Sequence, residues 1–413
     1  MKVRVETYGC TMNQGEGAEL AEKLAALGHE VVDDPRDADL VVLNTCTVIK
    51  ETENRMLKRM AELNGQRKKI IVAGCMASVQ ADEIIKHAPS AIIMAPRDYP
   101  SFSSVVESAF GRGEASPLVV QSCPVTSVLP VAQGCIGACS YCITRFARGT
   151  LASYPADSLI AAARSALQAG ARELLVTAQD TACYGFDRGT DLSALLDGIT
   201  ALPGEFMVRV GMMNPDNLGR IIDRFLPSWT SPKVYQFTHL PVQSGSAAVL
   251  EGMNRGYRPE EFTSLVARLR AASPSMTLST DIITGFPGET EEDHRATVDL
   301  LNEVRPDTVN VTRFSPRQGT PAARARNQVP GWVSKERSRE LSRLRFEISS
   351  AVNAALVGRR EKVLVTEEGK SGTSIARTAS YKPVVLPGKL PLGTWLDAEV
   401  VSSAPTHLFG RTL

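Results

Sequence analysis

Over the first 112 residues the chain alternates two hydrophobic periods. Short apolar runs at Val3–Tyr8, Leu40–Asn44, Lys69–Ala73 and Ala91–Met94 read as strands. Leu40–Asn44 is continuously apolar, the mark of a strand buried on both faces. Between them, Gly15–Leu27, Glu51–Asn64, Val79–His87 and Ser101–Phe110 read as helices, and Leu20, Leu24 and Leu27 share one helical face. The alternation predicts a small doubly wound parallel sheet.

Pro117–Pro130 reads as a crossing, after which the alternation resumes. Strands are expected at Val128–Ala132, Glu173–Thr177, Phe206–Val210, Val234–Phe237, Thr277–Ile283 and Thr308–Val311, with helical patterns at Ser158–Ala169, Leu192–Ala201, Leu218–Phe225, Glu260–Ala271 and Glu291–Val304. Six such units predict a partial, open (β/α)6 barrel rather than a closed eightfold one. Beyond residue 355 the pattern changes to short strands at Lys362–Thr366, Ser374–Ala379, Pro383–Leu386, Trp395–Val401 and His407–Thr412, separated by turn signals. They predict a small OB-like β-barrel. The expected class is α/β, in three parts: residues 1–112, 127–350 and 355–413.

Composition narrows the setting. With 43% hydrophobic and 22% charged residues over 413 positions, the chain reads as a soluble globular protein of several domains. No run of eighteen apolar residues appears, and the N-terminus reads as a strand rather than a signal peptide. Eight cysteines in so long a chain are no disulfide framework. They point to a reducing, cytoplasmic setting with metal-binding or catalytic thiols. A net charge of +1 means that any nucleic-acid site must be a local patch.

The cysteines carry the candidate chemistry. Cys135, Cys139 and Cys142 stand in C-x3-C-x2-C spacing within GCIGACSYCITRFARG (Gly134–Gly149). Three thiolates on one tight loop suit three irons of a cubic cluster and leave the fourth iron open to a small molecule, whereas structural zinc calls for a fourth protein ligand. A zinc knuckle or packed structural cysteines are the other readings. Cys10, Cys46 and Cys75 each follow a strand of the first sheet, at the carboxyl ends where ligands of such sheets gather. Gly9, Thr45 and Gly74 beside them let backbone approach a cluster closely. Three unrelated buried thiols are the bland alternative. Cys183 reads as a packed thiol and Cys123 as a linker residue.

Polar motifs fall at the barrel strand ends: Ala178–Gly185, Arg209–Pro215, Leu240–Ser246 and Thr280–Thr290. Gln179, Asp180, Arg209, Gln243 and Asp281 are the candidate cofactor-binding residues, although loops are polar in any case. Ser334–Leu356 is a helix with Lys335, Arg337, Arg339, Arg343 and Arg345 interleaved with Glu336, Glu340 and Glu347, and reads first as a solvated, salt-bridged face. The tail carries eight cations against five anions, which reads as a basic barrel that suits RNA or, equally on charge alone, as a mildly basic accessory domain that only packs on the core. Together with Arg313, Arg317, Arg324 and Arg326 these groups would form one phosphate-binding face.

Across essentially its whole length the chain resembles the MiaB-type methylthiotransferase family, of the radical-SAM class, through TYGCTMNQGEGAEL, NTCTV, GCMA, GCIGACSYC, ARG, LPVQSGS, TDIITGFPGET and FSPRQGTPAA. The resemblance implies two 4Fe-4S clusters, an auxiliary one on Cys10, Cys46 and Cys75 and a second on Cys135, Cys139 and Cys142 that chelates S-adenosylmethionine. It implies S-adenosylmethionine as both radical source and methyl donor, and a C-terminal TRAM domain that contacts RNA. The wording is closest to the archaeal and eukaryotic branch, which modifies N6-threonylcarbamoyladenosine next to the tRNA anticodon. Isopentenyladenosine tRNA, a ribosomal-protein aspartate or another radical-SAM RNA modification are the alternatives. The implied partners are tRNA, an electron donor and a sulfur source, with no membrane and a monomeric chain. No catalytic residue is assigned beyond the cluster ligands.

Overall fold

In the computed structural model, which describes residues 1–48, 50–113 and 125–413, five parallel strands form the first sheet. They are β1 (Lys2–Thr7), β2 (Glu30–Val31), β3 (Leu40–Thr45), β4 (Lys69–Gly74) and β5 (Ile92–Met94), in spatial order β2-β1-β3-β4-β5. All six positions of β3 are buried, as its continuous apolar run requires. On one face Val41, Leu43 and Val72 pack against Met56, Met60 and Leu63 of helix Lys50–Gly65. On the other, Leu40, Val42 and Ile71 meet Leu20 and Leu24 of helix Thr11–Ala26 and Phe102 and Val106 of helix Phe102–Phe110. Each such fully buried side chain is worth about 1.5–3 kcal/mol over exposure. The sheet is thus doubly wound, and its strand order reverses between β1 and β3, which opens a crevice beyond their carboxyl ends.

Two local readings change. The helix expected at Val79–His87 runs Ala81–His87, and an additional short helix, Cys75–Val79, precedes it across Gln80, whose backbone (φ −139°) leaves the helical region. The two-residue β2 was not expected, because so short a strand has no readable period.

The chain divides into two units: the first takes residues 1–122, 133–136 and 142–152, the second 123–132, 137–141 and 153–413. The body of the second is six parallel strands: β6 (Thr126–Pro130), β7 (Glu173–Thr177), β8 (Met207–Val210), β9 (Phe237–His239), β10 (Thr277–Thr284) and β11 (Thr308–Arg313). They pair as β8-β7-β6 and β9-β10-β11, with single parallel bridges Val208–Val234 and Met212–His239 joining the two sets. The fourth strand lies three residues later than expected, and helix Ala247–Gly252 is additional. Helix starts follow capping chemistry: Asp191 accepts from the Ser193 and Ala194 amides, and Thr290 and Asp293 form a capping box.

The tail strands β12 (Arg360–Glu368), β13 (Thr373–Thr378), β14 (Pro383–Pro387), β15 (Trp395–Ser403) and β16 (Leu408–Thr412) close into a barrel in the order β12-β13-β14-β16-β15. Val363, Val365, Ala376, Val384, Leu386 and Val400 fill it, one face of each alternating strand. The tail packs on the six-stranded body within the second unit: Tyr381 lies edge-on to Tyr235, and a buried Lys382–Asp307 ion pair (2.6 Å) is steadied by Asn353. Among the described residues no helix is long and apolar enough to cross a membrane.

Candidate metal centre

Parallel registers Thr7–Asn44 and Thr45–Gly74 bring the ends of β1, β3 and β4 level. Cys46 and Cys75 follow those ends directly, Cys75 opening helix Cys75–Val79, and Cys10 stands three residues beyond the end of β1. The glycines beside them are fixed by space. Gly9 (φ +115°) lies so near Cys46 that an added Cβ would stand 3.2 Å from its sulfur, and a Cβ on Gly74 (φ +91°) would stand 2.4 Å from the Thr45 carbonyl oxygen. Asn13 Nδ2 donates to the Thr45 carbonyl (3.0 Å) and Asn44 Nδ2 to the Asn13 carbonyl (2.8 Å), so the strand-end loops are tied together. The Cys10 thiol reaches Asn13 Oδ1 (3.1 Å).

Arg148, at the end of helix Thr144–Arg148, joins this cluster of thiols. Its Nε donates to Cys75 Sγ (3.2 Å), Nη2 donates to Glu16 Oε2 (2.9 Å) and Nη1 to Glu16 Oε1. Both side chains are almost wholly buried, and a buried charge persists only when so paired. Burial pushes the Cys75 thiol up to about 11, against the pull of Arg148. Sequence reasoning missed both residues. The signal was there: Glu16 lies four residues before Leu20 and eight before Leu24, a carboxylate on the buried helix face.

The donor set fits an iron–sulfur cluster. Among the described residues no three Cys, His, Asp or Glu side chains converge on a single metal ion. A cubic cluster asks for a wider spread, because each thiolate binds a different iron. Here three thiols, without carboxylate or imidazole, follow three adjacent strand ends beside close-approach glycines.

The second cysteine loop is divided between the units. In the first, the Cys135 amide donates to the Gly149 carbonyl (3.3 Å), and Gly134 (φ +74°) admits no side chain, since a Cβ would meet the Thr150 carbonyl at 2.0 Å. In the second, Cys139 Sγ accepts from Arg255 Nη1 (3.5 Å). Ser140 Oγ donates to the Gly252 carbonyl (2.7 Å) and Asn254 Nδ2 to the Ala138 carbonyl (2.8 Å), so residues 138–140 are clamped to the loop around Arg255.

Arg255 was also missed by the sequence reading; a lone cation in the glycine-bounded MNRGY stretch was its only signal. It is half-buried, donates to the Pro241 carbonyl (3.0 Å) and Tyr257 Oη (3.2 Å), and its charge acts on both Asp180 and Asp281. Asp281, on β10, accepts from His239 Nε2 (2.9 Å) and Asn310 Nδ2 (2.8 Å). Burial alone would raise its carboxyl; the hydrogen bond and charge of His239 outweigh this and hold it below the usual range. Gln243 adjoins it, its amide donating to the Asp281 carbonyl (2.8 Å). Its backbone is left-handed (φ +72°), and its buried side-chain oxygen accepts no hydrogen bond among the described residues.

The remaining candidates differ in kind. Asp180 is fully buried and spends its oxygens on the Ala182 and Asn214 amides (3.1 and 3.0 Å) and on Asn217 Nδ2 (2.6 Å), while burial pushes its carboxyl up. It ties two strand-end loops together. Gln179 beside it is half-buried. Arg209 is engaged elsewhere: its guanidinium lies over the rings of Phe237 and of Tyr381 from the tail barrel, at 5.1 and 5.3 Å. Cys183 is buried, its thiol donating to the Asp180 carbonyl (3.1 Å), and Cys123 lies outside the described residues.

Residues 2–95 match the family described as uncharacterized protein family UPF0004, residues 129–301 the radical SAM superfamily, and residues 354–413 the TRAM domain. The chain is 42% identical to a probable threonylcarbamoyladenosine tRNA methylthiotransferase of Pyrococcus horikoshii, over 100% of both chains. It is 34% identical to the threonylcarbamoyladenosine tRNA methylthiotransferase of Homo sapiens, over 99% of this chain and 74% of that one. A solved radical S-adenosylmethionine methyltransferase from Kitasatospora setae, with cobalamin and a 4Fe-4S cluster bound, shares the fold at a TM-score of 0.58 and 14% identity, over 78% of this chain and 76% of that one. With end-to-end identity of this order, the chain belongs to the threonylcarbamoyladenosine tRNA methylthiotransferase family.

Proposed function

We propose that this protein is a radical S-adenosylmethionine enzyme that adds a methylthio group to C2 of N6-threonylcarbamoyladenosine beside the anticodon of tRNA. The observation that carries the reading is the second set of thiols. Cys10, Cys46 and Cys75 follow three adjacent strand ends, in a chain alike end to end to enzymes of that name. A plain radical enzyme needs only the C-x3-C-x2-C loop; a further cluster with an open iron offers a place for sulfur.

Cys135, Cys139 and Cys142 would hold one 4Fe-4S cluster and Cys10, Cys46 and Cys75 the other. Bound there with S-adenosylmethionine, they supply the radical and methyl-transfer chemistry that an unactivated C2–H requires. The chain's own residues position and shield. Arg255 offsets negative charge at Cys139, and Arg148 does so at Cys75. Gln243 offers its side-chain oxygen to S-adenosylmethionine, Gln179 stands two residues beyond β7, and Asp281, oriented by His239 and Asn310, offers a fixed carboxylate. Asp180 keeps the strand-end loops in place, and Arg209 braces the tail against the body. In this reading residues 1–112 carry the auxiliary cluster, 127–350 the radical chemistry and 355–413 the RNA contact. The chain works in the cytoplasm as a monomer, with an electron donor and a sulfur source.

The test is turnover. The reconstituted chain is incubated anaerobically with reductant, S-adenosylmethionine and, in turn, tRNA bearing threonylcarbamoyladenosine, tRNA bearing isopentenyladenosine, and a ribosomal protein. Mass spectrometry should show a methylthio gain on the first. Turnover restricted to either of the others, or a bare methyl gain, overturns the reading.

A further inference from the structure

Helix Gly331–Ala354 joins the six-stranded body to the tail barrel. Its sequence mixes charges of both signs, and the structure sorts them. Arg337 turns inward to a buried pair with Glu289 (2.8 Å), Arg345 donates to the Val309 carbonyl (3.0 Å), and Glu340 accepts from His294 (2.8 Å). Lys335, Arg339 and Arg343 turn outward, are exposed, and pair with no carboxylate among the described residues. These three are not a salt-bridged face.

The same stripe begins and ends on an aromatic ring. Trp332, Lys335, Arg339, Arg343 and Phe346 fall at i, i+3, i+7, i+11 and i+14, which places them along one side of the helix over about 21 Å. Trp332 is 71% exposed and Phe346 42% exposed. Large aromatic side chains left in water at both ends of a row of unpaired cations are costly for folding alone. Arg345 sits 4.6 Å from the Phe346 ring centre and holds the ring in place. Glu336 and Glu347 border one edge of the stripe and do not interrupt it.

We propose that this face is an RNA-binding track. Lys335, Arg339 and Arg343 neutralise successive phosphates, and Trp332 and Phe346 stack on unpaired bases. Cations alone would suit any anion; cations bracketed by exposed rings suit a strand whose bases are unstacked, because each base offers a π-face and each link a phosphate. The track rests on the tRNA reading above and adds a surface outside the tail barrel.

The experiment measures binding of tRNA and of its isolated anticodon stem–loop to the full chain at several salt concentrations. Lys335→Gln/Arg339→Gln/Arg343→Gln should weaken binding and lower the slope of log K against log salt by about 2, since each lost contact to a single strand removes about 0.7. Trp332→Ala/Phe346→Ala should weaken binding roughly tenfold or more with the slope unchanged. Thermal unfolding of both variants should match the parent, because every altered side chain is exposed. If the parent binds tRNA and both variants bind it equally well, the track is wrong and the tRNA reading stands. If the parent binds no tRNA, both fall. If the variants lose binding to polyglutamate but keep tRNA, the face belongs to an acidic protein and the proposal is overturned.

Discussion

Arg148 Nε stands 3.2 Å from the sulfur of Cys75, in a contact spanning 73 residues of sequence. Arg148 lies six positions after Cys142, in the same unit as Cys75. The remaining guanidinium nitrogens are taken by Glu16, so Glu16, Arg148 and Cys75 form one buried polar unit.

Breaking that unit from one side leaves a charge without its partner. Glu16→Ala should destabilise the first unit by about 3–5 kcal/mol, measured by denaturant unfolding. Glu16→Ala combined with Arg148→Met should cost less than the two single changes summed, since neither charge remains buried alone. Additive losses would mean the pair is not coupled. If Cys75 holds the auxiliary cluster as proposed, Arg148→Lys should shift that cluster's reduction potential, because a hydrogen bond to the Cys75 sulfur is removed. An unchanged potential would confine Arg148 to packing.

Gly74→Ala tests the approach of backbone to the first set of thiols. The new Cβ would need to occupy space 2.4 Å from the Thr45 carbonyl oxygen at a backbone angle of +91°. We expect roughly 2 kcal/mol or more of destabilisation and loss of the auxiliary iron. Reconstituted parent should carry about eight irons per chain, Gly74→Ala about four, and Cys135→Ala/Cys139→Ala/Cys142→Ala also about four. Full iron in the triple variant would dismiss the assignment of that loop.

Acid should reach Asp281 in a predictable direction. The carboxyl titrates at 3.8 when free and lower in the folded chain. Its ionised form therefore stabilises the fold above about pH 4, and that contribution is lost as pH falls through the folded value. The unfolding midpoint should drop with acid below pH 4, and more shallowly in Asp281→Asn than in the parent. Parallel curves would show that His239 and Asn310 do not favour the charged carboxylate.

Much of this was legible in the chain itself. The continuous apolar run of β3, the alternation of the tail strands and the placement of Cys10, Cys46 and Cys75 within three residues of strand ends all follow from local period, which a backbone imposes on its own neighbourhood. A strand end followed by a cysteine is a cysteine at a sheet's carboxyl edge, whatever the rest of the chain does. The pairing of Arg148 with Glu16 was not legible, because it bridges 132 residues and needs two remote elements to close on one point. The same holds for Arg255 beside Cys139, 116 residues apart. Arg209 reads in sequence as a strand-end cation, yet its guanidinium lies on Tyr381 of the tail. Along helix Gly331–Ala354, sequence names the cations alike. Only the packing partners, Glu289 for Arg337 and the Val309 carbonyl for Arg345, decide which turn inward and leave Lys335, Arg339 and Arg343 to solvent. Local pattern sets the elements; which charges meet depends on how distant elements pack, because a charge is buried only where a partner offsets the loss of water.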